Sequence, residues 1–124
     1  MSFRLLVVDD DVRMTRFVAL TAMQLGLDTT QINAPRQALE AFISHRPDVT
    51  LLDVFMPELD GIDVLHEILL TGIPTQIILT SGGDEGLLKV AREAAQFHGV
   101  LDAIVLAKPF RRTELLAALM QAVG

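Results

Sequence analysis

Short apolar segments and amphipathic segments alternate along the whole chain, and this alternation limits the folds that are open to it. Four apolar runs predict buried strands, at residues 5–8, 49–52, 77–79 and 103–107. A more polar run at 27–32 predicts a fifth strand. Strands that alternate with helices are typical of α/β folds with a parallel sheet, whose crossovers are right-handed. We therefore expect an α/β fold with five strands and five helices.

The boundaries of these strands follow from the apolar pattern. They are predicted at residues 3–8, 27–32, 49–53 and 76–80, with the last strand ending before Lys108. Strands covered on both faces of a parallel sheet are almost continuously apolar, so the polar second strand belongs at an edge. Apolar residues at helical spacing predict the core-facing sides of four helices: Val12, Phe17, Leu20 and Leu25; Ala38, Leu39, Phe42 and Ile43; Leu87, Leu88, Ala91, Ala94 and Ala95; Leu115, Leu116, Leu119 and Met120.

Capping and turn residues mark the ends of the predicted helices. Asn33 and Asp84 are expected to cap the second and fourth helices, and Pro35 is expected in a first helical turn. Residues 56–61 read as a loop that leads into a third helix at about 62–70, and His98-Gly99 ends the fourth helix. The three histidines lack metal-ligand spacing and are expected to be surface residues: His45, His66 and His98.

Size, charge and cysteine content narrow the class of protein. A chain of 124 residues suits a single domain, here residues 1–124. The formal net charge of −6 argues against direct nucleic-acid binding, which favours a basic face. There is no cysteine, and no apolar run has the length of a signal peptide or a membrane span. We expect a cytoplasmic protein with no membrane partner.

A residue able to do chemistry follows or ends each apolar strand: Asp9, Asp10 and Asp11, then Asp53, Thr80 and Lys108. The carboxyl ends of parallel strands meet at one edge of a sheet, where ligands bind. Clustered carboxylates repel each other unless a cation is present or one of them is protonated, and Mg²⁺ takes oxygen ligands. Read separately, the three aspartates could equally be a helix cap.

The same residues together can serve phosphoryl transfer. Asp53 is placed to act as a carboxylate nucleophile, and Lys108 supplies a positive charge for a phosphoryl group. Thr80 adds a hydroxyl that can donate to a phosphoryl oxygen. Because phosphoryl transfer depends mainly on positioning and charge neutralisation, this set of groups is sufficient for it.

The chain resembles the receiver domain of bacterial two-component response regulators over essentially its whole length. The motifs that carry the resemblance are Val8-Asp9-Asp10, Leu52-Asp53, Met56-Pro57, Asp60-Gly61, Leu79-Thr80-Ser81 and Lys108-Pro109-Phe110. The resemblance implies a doubly wound, flavodoxin-like sheet with strand order 2-1-3-4-5. It also implies that Asp53 is the phosphoacceptor, that Thr80 and Lys108 contact the phosphoryl group, and that the Lys108–Pro109 bond is cis.

The resemblance implies a Mg²⁺ site as well. Asp10 would ligate the ion directly and Asp9 would assist, while Asp53 and the backbone carbonyl of Phe55 would complete the protein ligands. Asp11 is the least secure of the three acids and is equally suited to capping the first helix.

The implied function is that of a signalling switch rather than of an enzyme with a substrate of its own. A histidine kinase or phosphotransfer protein would donate the phosphoryl group, and a C-terminal output domain or a protein target would receive the signal. Two alternatives are a pseudo-receiver that acts as an interaction or dimerisation module and an aspartyl-phosphate phosphohydrolase. Such hydrolases often need a second acid near the nucleophile for protonation, and Phe55, two residues after Asp53, argues against this alternative. The oligomeric state is open.

Three departures from the family pattern are visible. Val105 stands three residues before the lysine, where the family usually has an aromatic residue. The segment from Thr80 to Lys108 is longer than usual around residues 96–102, and in its detail it looks like receivers attached to cyclic-di-GMP phosphodiesterase domains. Phe55 and Gly82 cannot position an attacking water, so we expect slow hydrolysis of the aspartyl phosphate.

Overall fold

The computed structural model describes residues 3–56, 61–83 and 85–124, and within them the strands form one sheet. The strands are β1 (Arg4–Val8), β2 (Asp28–Ile32), β3 (Val49–Asp53), β4 (Gln76–Ser81) and β5 (Ile104–Ala107). Every neighbouring pair is parallel, and the order across the sheet is β2-β1-β3-β4-β5. The predicted α/β fold and strand order are confirmed.

In the described residues four α-helices connect the strands, α1 (Val12–Met23), α2 (Ala38–His45), α3 (Gly61–Leu70) and α4 (Glu85–Phe97), and α5 (Arg112–Val123) follows β5. A single 3-10 turn at Pro35–Gln37 leads into α2. One apolar core lies between the sheet and α2, α3 and α4, and a second core lies between the opposite face and α1 and α5. Within the described ranges, no helix is both long and apolar enough to cross a membrane.

The sheet separates buried central strands from an exposed edge. All five residues of β3 are buried, and so are four of the five in β1. The edge strand β2 has no fully buried residue, as its polar sequence predicts. Polar side chains on the covered faces of a central strand are costly unless they find a hydrogen-bond partner, as Thr50 does in Thr75 at 3.0 Å. Mostly apolar runs therefore occupy the centre of the sheet.

The predicted apolar stripe of α1 is confirmed in part, because Phe17 and Leu25 pack against the core. Val12 and Leu20 are exposed, whereas Thr15, Val18 and Ala22 are buried against the sheet. Val12 is the first residue of the helix, close to the strand-end edge of the sheet. Leu20 follows Val18 by two residues, which places it about 200° further around the helix.

The predicted core-facing sides of α2 and α5 are confirmed in part. Phe42 and Leu119 are fully buried, as predicted. Ile43 and Met120, each one position further along its helix, were also predicted to face the core but are exposed. One step along a helix is a rotation of about 100°, enough to carry a side chain out of a narrow contact face. Of the small residues in these faces, Ala38 is buried as predicted, and Ala118 is buried although it was not predicted.

The predicted features of the connecting segments have mixed outcomes. Pro35 lies at the first position of the 3-10 turn as expected, but the residue that caps this turn is Ala34 and not Asn33. α4 ends before His98, and Gly99 adopts a positive φ of 87°. The predicted loop residues 57–60 and the predicted cap Asp84 lie outside the described residues.

The histidines are not three independent surface residues. His45 is exposed, but His66 on α3 and His98 after α4 are half-buried and contact each other edge to face, with ring centroids 5.4 Å apart. The two histidines come together because α3 packs beside α4. Their distance along the sequence gives no local pattern from which this contact could be predicted.

Candidate functional site

Strand register brings the polar strand ends to one edge of the sheet. Val8 is paired with Leu52 between β1 and β3, and Asp53 is paired with Thr80 between β3 and β4. Ser81 is paired with Ala107, the residue before Lys108. The predicted convergence of these strand ends is therefore present in the structure.

Three carboxylates form a cluster at this edge. Asp9, Asp10 and Asp53 each offer an oxygen, and these oxygens lie within 4.8 Å of one another. Asp9 and Asp53 are buried, whereas Asp10 is exposed. Asp11 takes the alternative role: its carboxylate accepts a hydrogen bond from the Arg13 N–H at 2.9 Å and caps α1.

Lys108 supplies the positive charge that the buried acids face. Its Nζ donates to Asp9 Oδ2 at 2.6 Å and to Asp53 Oδ2 at 3.2 Å, and these bonds span 99 and 55 residues of sequence. Burial alone would lower the pKa of Lys108, but the hydrogen bond to Asp9 and attraction to Asp53 outweigh it and raise that pKa. The ammonium therefore stays charged between the two carboxylates. The Lys108–Pro109 bond is cis, as the resemblance implies.

The two less strongly paired acids have raised pKa values. Burial raises the pKa of Asp53 to about 6 and repulsion by Asp9 adds to this, although the Phe55 N–H and Lys108 oppose it. The Phe55 N–H donates to Asp53 Oδ1 at 3.0 Å. Desolvation, followed by repulsion from Asp9, also raises the pKa of Asp10. Because one lysine does not neutralise three acids, the cluster fits an additional hard cation such as Mg²⁺.

Thr80 carries a polar atom that the fold leaves without a partner. The residue is fully buried, and its Oγ1 makes no hydrogen bond to any residue that the structure describes. A buried hydroxyl without a partner is unfavourable and rare in folded proteins. Thr80 lies opposite Asp53 in the pairing of β3 with β4. Its hydroxyl is therefore placed to donate a hydrogen bond to a ligand that binds at this edge of the sheet.

Phe55 and Gly82, which carry no polar side-chain group, lie beside the cluster. The Phe55 ring, which is 52% exposed, lies against Gly83: a Cβ at that glycine would be 3.5 Å from the ring. A Cβ at Gly82 would lie 3.5 Å from the Lys108 Cδ. Neither the Phe55 side chain nor Gly82 brings a polar group to the Asp53 end of the cluster.

Gly61 fixes the start of α3 beneath the site. A Cβ at this position would be only 2.5 Å from the Val54 Cα, so any larger residue would collide with the backbone one residue after Asp53. The glycine is required by close approach and not by a positive φ.

Asn33 is a site residue that the sequence pattern did not reveal. Its Nδ2 donates to the backbone carbonyl of Asp9 at 3.0 Å and to Thr15 Oγ1 at 2.8 Å. The prediction that Asn33 caps the second helix considered only its neighbours in the sequence. Pairing of β1 with β2 places Ile32 opposite Val8, so Asn33 lies level with Asp9. That register is the signal that identifies it.

Comparison with known proteins gives a consistent family. The profile of the response regulator receiver domain matches residues 5–120. The regulatory protein AtoC of Escherichia coli is 36% identical over 112 residues, which cover 90% of this chain and 23% of AtoC. The DNA-binding response regulator MtrA of Mycobacterium tuberculosis is 36% identical over 115 residues, which cover 92% of this chain and 47% of MtrA.

A solved structure supports the same relationship. The receiver domain of the Francisella response regulator 1452 has a TM-score of 0.79 and 29% identity, and the match covers 98% of this chain and 96% of that one. The chain spans less than half the length of the two curated relatives.

Proposed function

The chain belongs to the response regulator receiver family, and on this basis we propose that it is a phosphoacceptor switch in which Asp53 is phosphorylated. The observation that carries the proposal is a buried Asp53 bonded to Lys108, with Thr80 opposite Asp53 in the neighbouring strand and its hydroxyl without a hydrogen-bond partner among the described residues. These three groups are the nucleophile, the cation and the hydroxyl that phosphoryl transfer to a carboxylate requires.

The reaction that we propose is a single displacement at phosphorus. An Asp53 carboxylate oxygen forms a bond to phosphorus while the bond from phosphorus to the donor's histidine nitrogen breaks, and the imidazole leaves with the bonding electrons. With the pKa of Asp53 raised to about 6, the nucleophile is mostly ionised at neutral pH. The hydrogen bond from the Phe55 N–H holds Oδ1, which limits rotation of the carboxylate.

Lys108 and Thr80 would receive the transferred group. The Lys108 ammonium already lies 3.2 Å from Asp53 Oδ2, so a phosphoryl oxygen on Asp53 comes within its reach. Thr80 would donate a hydrogen bond to a second phosphoryl oxygen from its hydroxyl, which has no partner in the part of the chain that the structure describes. The ammonium of Lys108 would neutralise negative charge on the buried phosphoryl group, and the hydroxyl of Thr80 would stabilise that charge by a hydrogen bond.

The acid cluster would hold Mg²⁺, with Asp9, Asp10, Asp53 and the backbone carbonyl of Phe55 as protein ligands. When bound, the ion supplies positive charge that offsets repulsion between the carboxylates and the phosphoryl oxygens. The exposed Asp10 is the more accessible ligand, whereas the buried Asp9 is already paired with Lys108.

We further propose that residues 1–124 act as one receiver unit. The donor would be a histidine kinase or phosphotransfer protein, and the recipient of the signal an attached output domain or a separate target. One relative carries the description "DNA-binding", but the net charge of −6 makes direct DNA binding by this unit unfavourable. An attachment to a cyclic-di-GMP phosphodiesterase domain and a cytoplasmic location stay predictions.

Phosphorylation is tested by intact mass after incubation with acetyl phosphate and Mg²⁺. The wild-type chain should gain one phosphoryl group, Asp53→Asn should gain none, and chelation of the metal should abolish the gain. Asp11→Asn is the matched control, because it removes a neighbouring carboxylate that only caps α1 and should leave phosphorylation intact.

Other outcomes would identify the two rivals. No mass gain in the wild-type chain contradicts the proposal and supports a pseudo-receiver. Turnover of a small phosphate ester well beyond one equivalent contradicts it in favour of a phosphohydrolase. A mass gain that survives Asp53→Asn would show that another residue is the acceptor.

A further inference from the structure

Asp9 is held at every polar atom, although it belongs to a loop of three consecutive acids. Its N–H donates to the Ile32 carbonyl at 3.1 Å, and its Oδ1 accepts from the Asp11 N–H at 2.9 Å. Its Oδ2 accepts from Lys108. The remaining atom, the backbone oxygen, accepts from the Asn33 amide at 3.0 Å.

The Asn33 amide connects this loop to α1 as well. Its second N–H reaches Thr15 Oγ1 at 2.8 Å, and Thr15 is fully buried and donates in turn to the Val12 carbonyl at 3.1 Å. Because a carbonyl can only accept, the nitrogen of the amide must face Asp9. One neutral side chain thus joins the end of β2, the acidic loop and the first turn of α1.

The acidic loop needs such a restraint for an electrostatic reason. Asp9, Asp10 and Asp53 place carboxylate oxygens within 4.8 Å of one another, and their repulsion favours a loop that opens outward. A cationic side chain at position 33 would oppose this repulsion but would also compete with a metal ion. An amide restrains the backbone without adding charge.

We propose that Asn33, supported by Thr15, is a positioning residue that holds the Asp9–Asp11 loop in the geometry that ligates Mg²⁺. The inference rests on the proposed function, since it assigns a role toward the metal of that site. Neither residue would touch the ion. Both act through the backbone of Asp9, in the way that outer-shell partners orient metal ligands.

The direct test is the Mg²⁺ dissociation constant, measured by titrating amide chemical shifts with MgCl₂. Asn33→Ala should weaken binding by roughly tenfold, the low end for loss of an outer-shell partner. Thr15→Val should weaken it by roughly two- to fivefold, because the Asn33–Asp9 bond remains. In the Asn33→Ala background, Thr15→Val should have no further effect.

Two variants separate positioning from general damage. Thr15→Ser keeps the hydroxyl but loses a buried methyl group, so it should lower the unfolding free energy while Mg²⁺ affinity stays near the wild-type value. Gln76→Ala removes another amide that donates to a backbone carbonyl, that of Asp102 at 2.9 Å, at the opposite end of the sheet. Its Mg²⁺ affinity should not change.

A metal-free measurement tests the same loop. With the metal chelated, Asn33→Ala should speed hydrogen exchange of the Asp11 N–H, which is bonded to Asp9 Oδ1, but not of amides in β4. Equal Mg²⁺ affinity in wild type and Asn33→Ala, or an equal loss in Thr15→Ser and Thr15→Val, would overturn the inference alone. A wild-type chain that takes up no Mg²⁺ would overturn the proposed function together with it.

Discussion

Replacing Asp53 with asparagine should stabilise the metal-free protein at neutral pH, although it removes the proposed phosphoacceptor. The fold raises the pKa of Asp53 from 3.8 to about 6, mainly through burial. Ionising this carboxylate therefore costs more in the folded than in the unfolded state. A difference of about 2 pKa units corresponds to about 3 kcal/mol.

The sign of the pH dependence follows from proton linkage. Between about pH 4 and pH 6 the folded state binds more protons at Asp53 than the unfolded state, so the unfolding free energy falls as pH rises. The contribution of Asp53 to the unfolding free energy is fully present below pH 3.8, and it is lost once the pH exceeds the folded-state pKa of about 6. Asparagine does not titrate, so the advantage of Asp53→Asn should grow from near zero at pH 4 toward an upper limit of about 3 kcal/mol at pH 7.5.

The lost contact with Lys108 reduces this gain but does not remove it. Lys108 keeps its shorter bond to Asp9 at 2.6 Å, and the 3.2 Å bond to Asp53 is the longer of the two. The raised pKa of Lys108 affects stability in a separate pH range. Its contribution to the unfolding free energy is lost only above pH 10.5, the usual pKa of lysine. The difference in stability between Asp53→Asn and wild type from pH 4 to 7.5 therefore reports on the replaced carboxylate and not on Lys108.

The assay is urea unfolding followed by far-ultraviolet circular dichroism in EDTA, because the chain has no tryptophan or tyrosine. Asp11→Asn is the control: the same charge change at an exposed cap, where asparagine caps as well as aspartate, should shift stability little. An Asp53→Asn protein that is less stable than wild type at pH 7.5, or a difference that does not vary with pH, would refute the reasoning.

Three further predictions concern the residues around Asp53. Thr80→Val should leave the unfolding free energy unchanged or raise it by about 1 kcal/mol, because the buried hydroxyl has no partner among the described residues, yet it should slow acetyl-phosphate labelling. A lower unfolding free energy for Thr80→Val than for wild type would contradict this prediction. So would acetyl-phosphate labelling of Thr80→Ser, which keeps the hydroxyl, that is no faster than labelling of Thr80→Val. Phe55→Asn or Gly82→Glu should speed loss of the phosphoryl group, because each adds a polar group beside the site. The loss is measured by intact mass after the phosphoryl donor is removed. An unchanged decay rate in both variants would contradict the slow-hydrolysis hypothesis. Gly61→Ala should lower the unfolding free energy in urea by about 1–3 kcal/mol because its Cβ collides with Val54, whereas Gly82→Ala, with contacts no closer than 3.5 Å, should be tolerated.

Much of the site could be predicted from sequence because of how parallel sheets are built. Central strands must be almost continuously apolar, so the first polar residue after each run marks a strand end. All carboxyl ends lie at one edge, and this brings Asp9, Asp53, Thr80 and Lys108 to one place without any knowledge of pair distances. The family motifs then assigned a role to each of them.

Helix faces were less predictable. The pattern for α1 identified a helix, but the buried side is that of Val18 and Ala22 and not that of Leu20. Apolar residues occur around more than one side of these helices, and periodicity alone does not choose between sides about 100° apart. The choice is made when the helix packs on a particular pair of strands.

The sequence by itself determined the order of strands and helices, the edge position of β2 and the chemical groups at the strand ends, because these depend on local burial and chain order. Tertiary structure alone decided which groups are paired. Asn33 meets Asp9 across 24 residues, Lys108 meets Asp9 across 99, and Thr80 Oγ1 has no partner among the described residues. Hydrogen bonds and pKa shifts depend on distances of about 3 Å and on burial, and these quantities exist only once the separate segments have packed together.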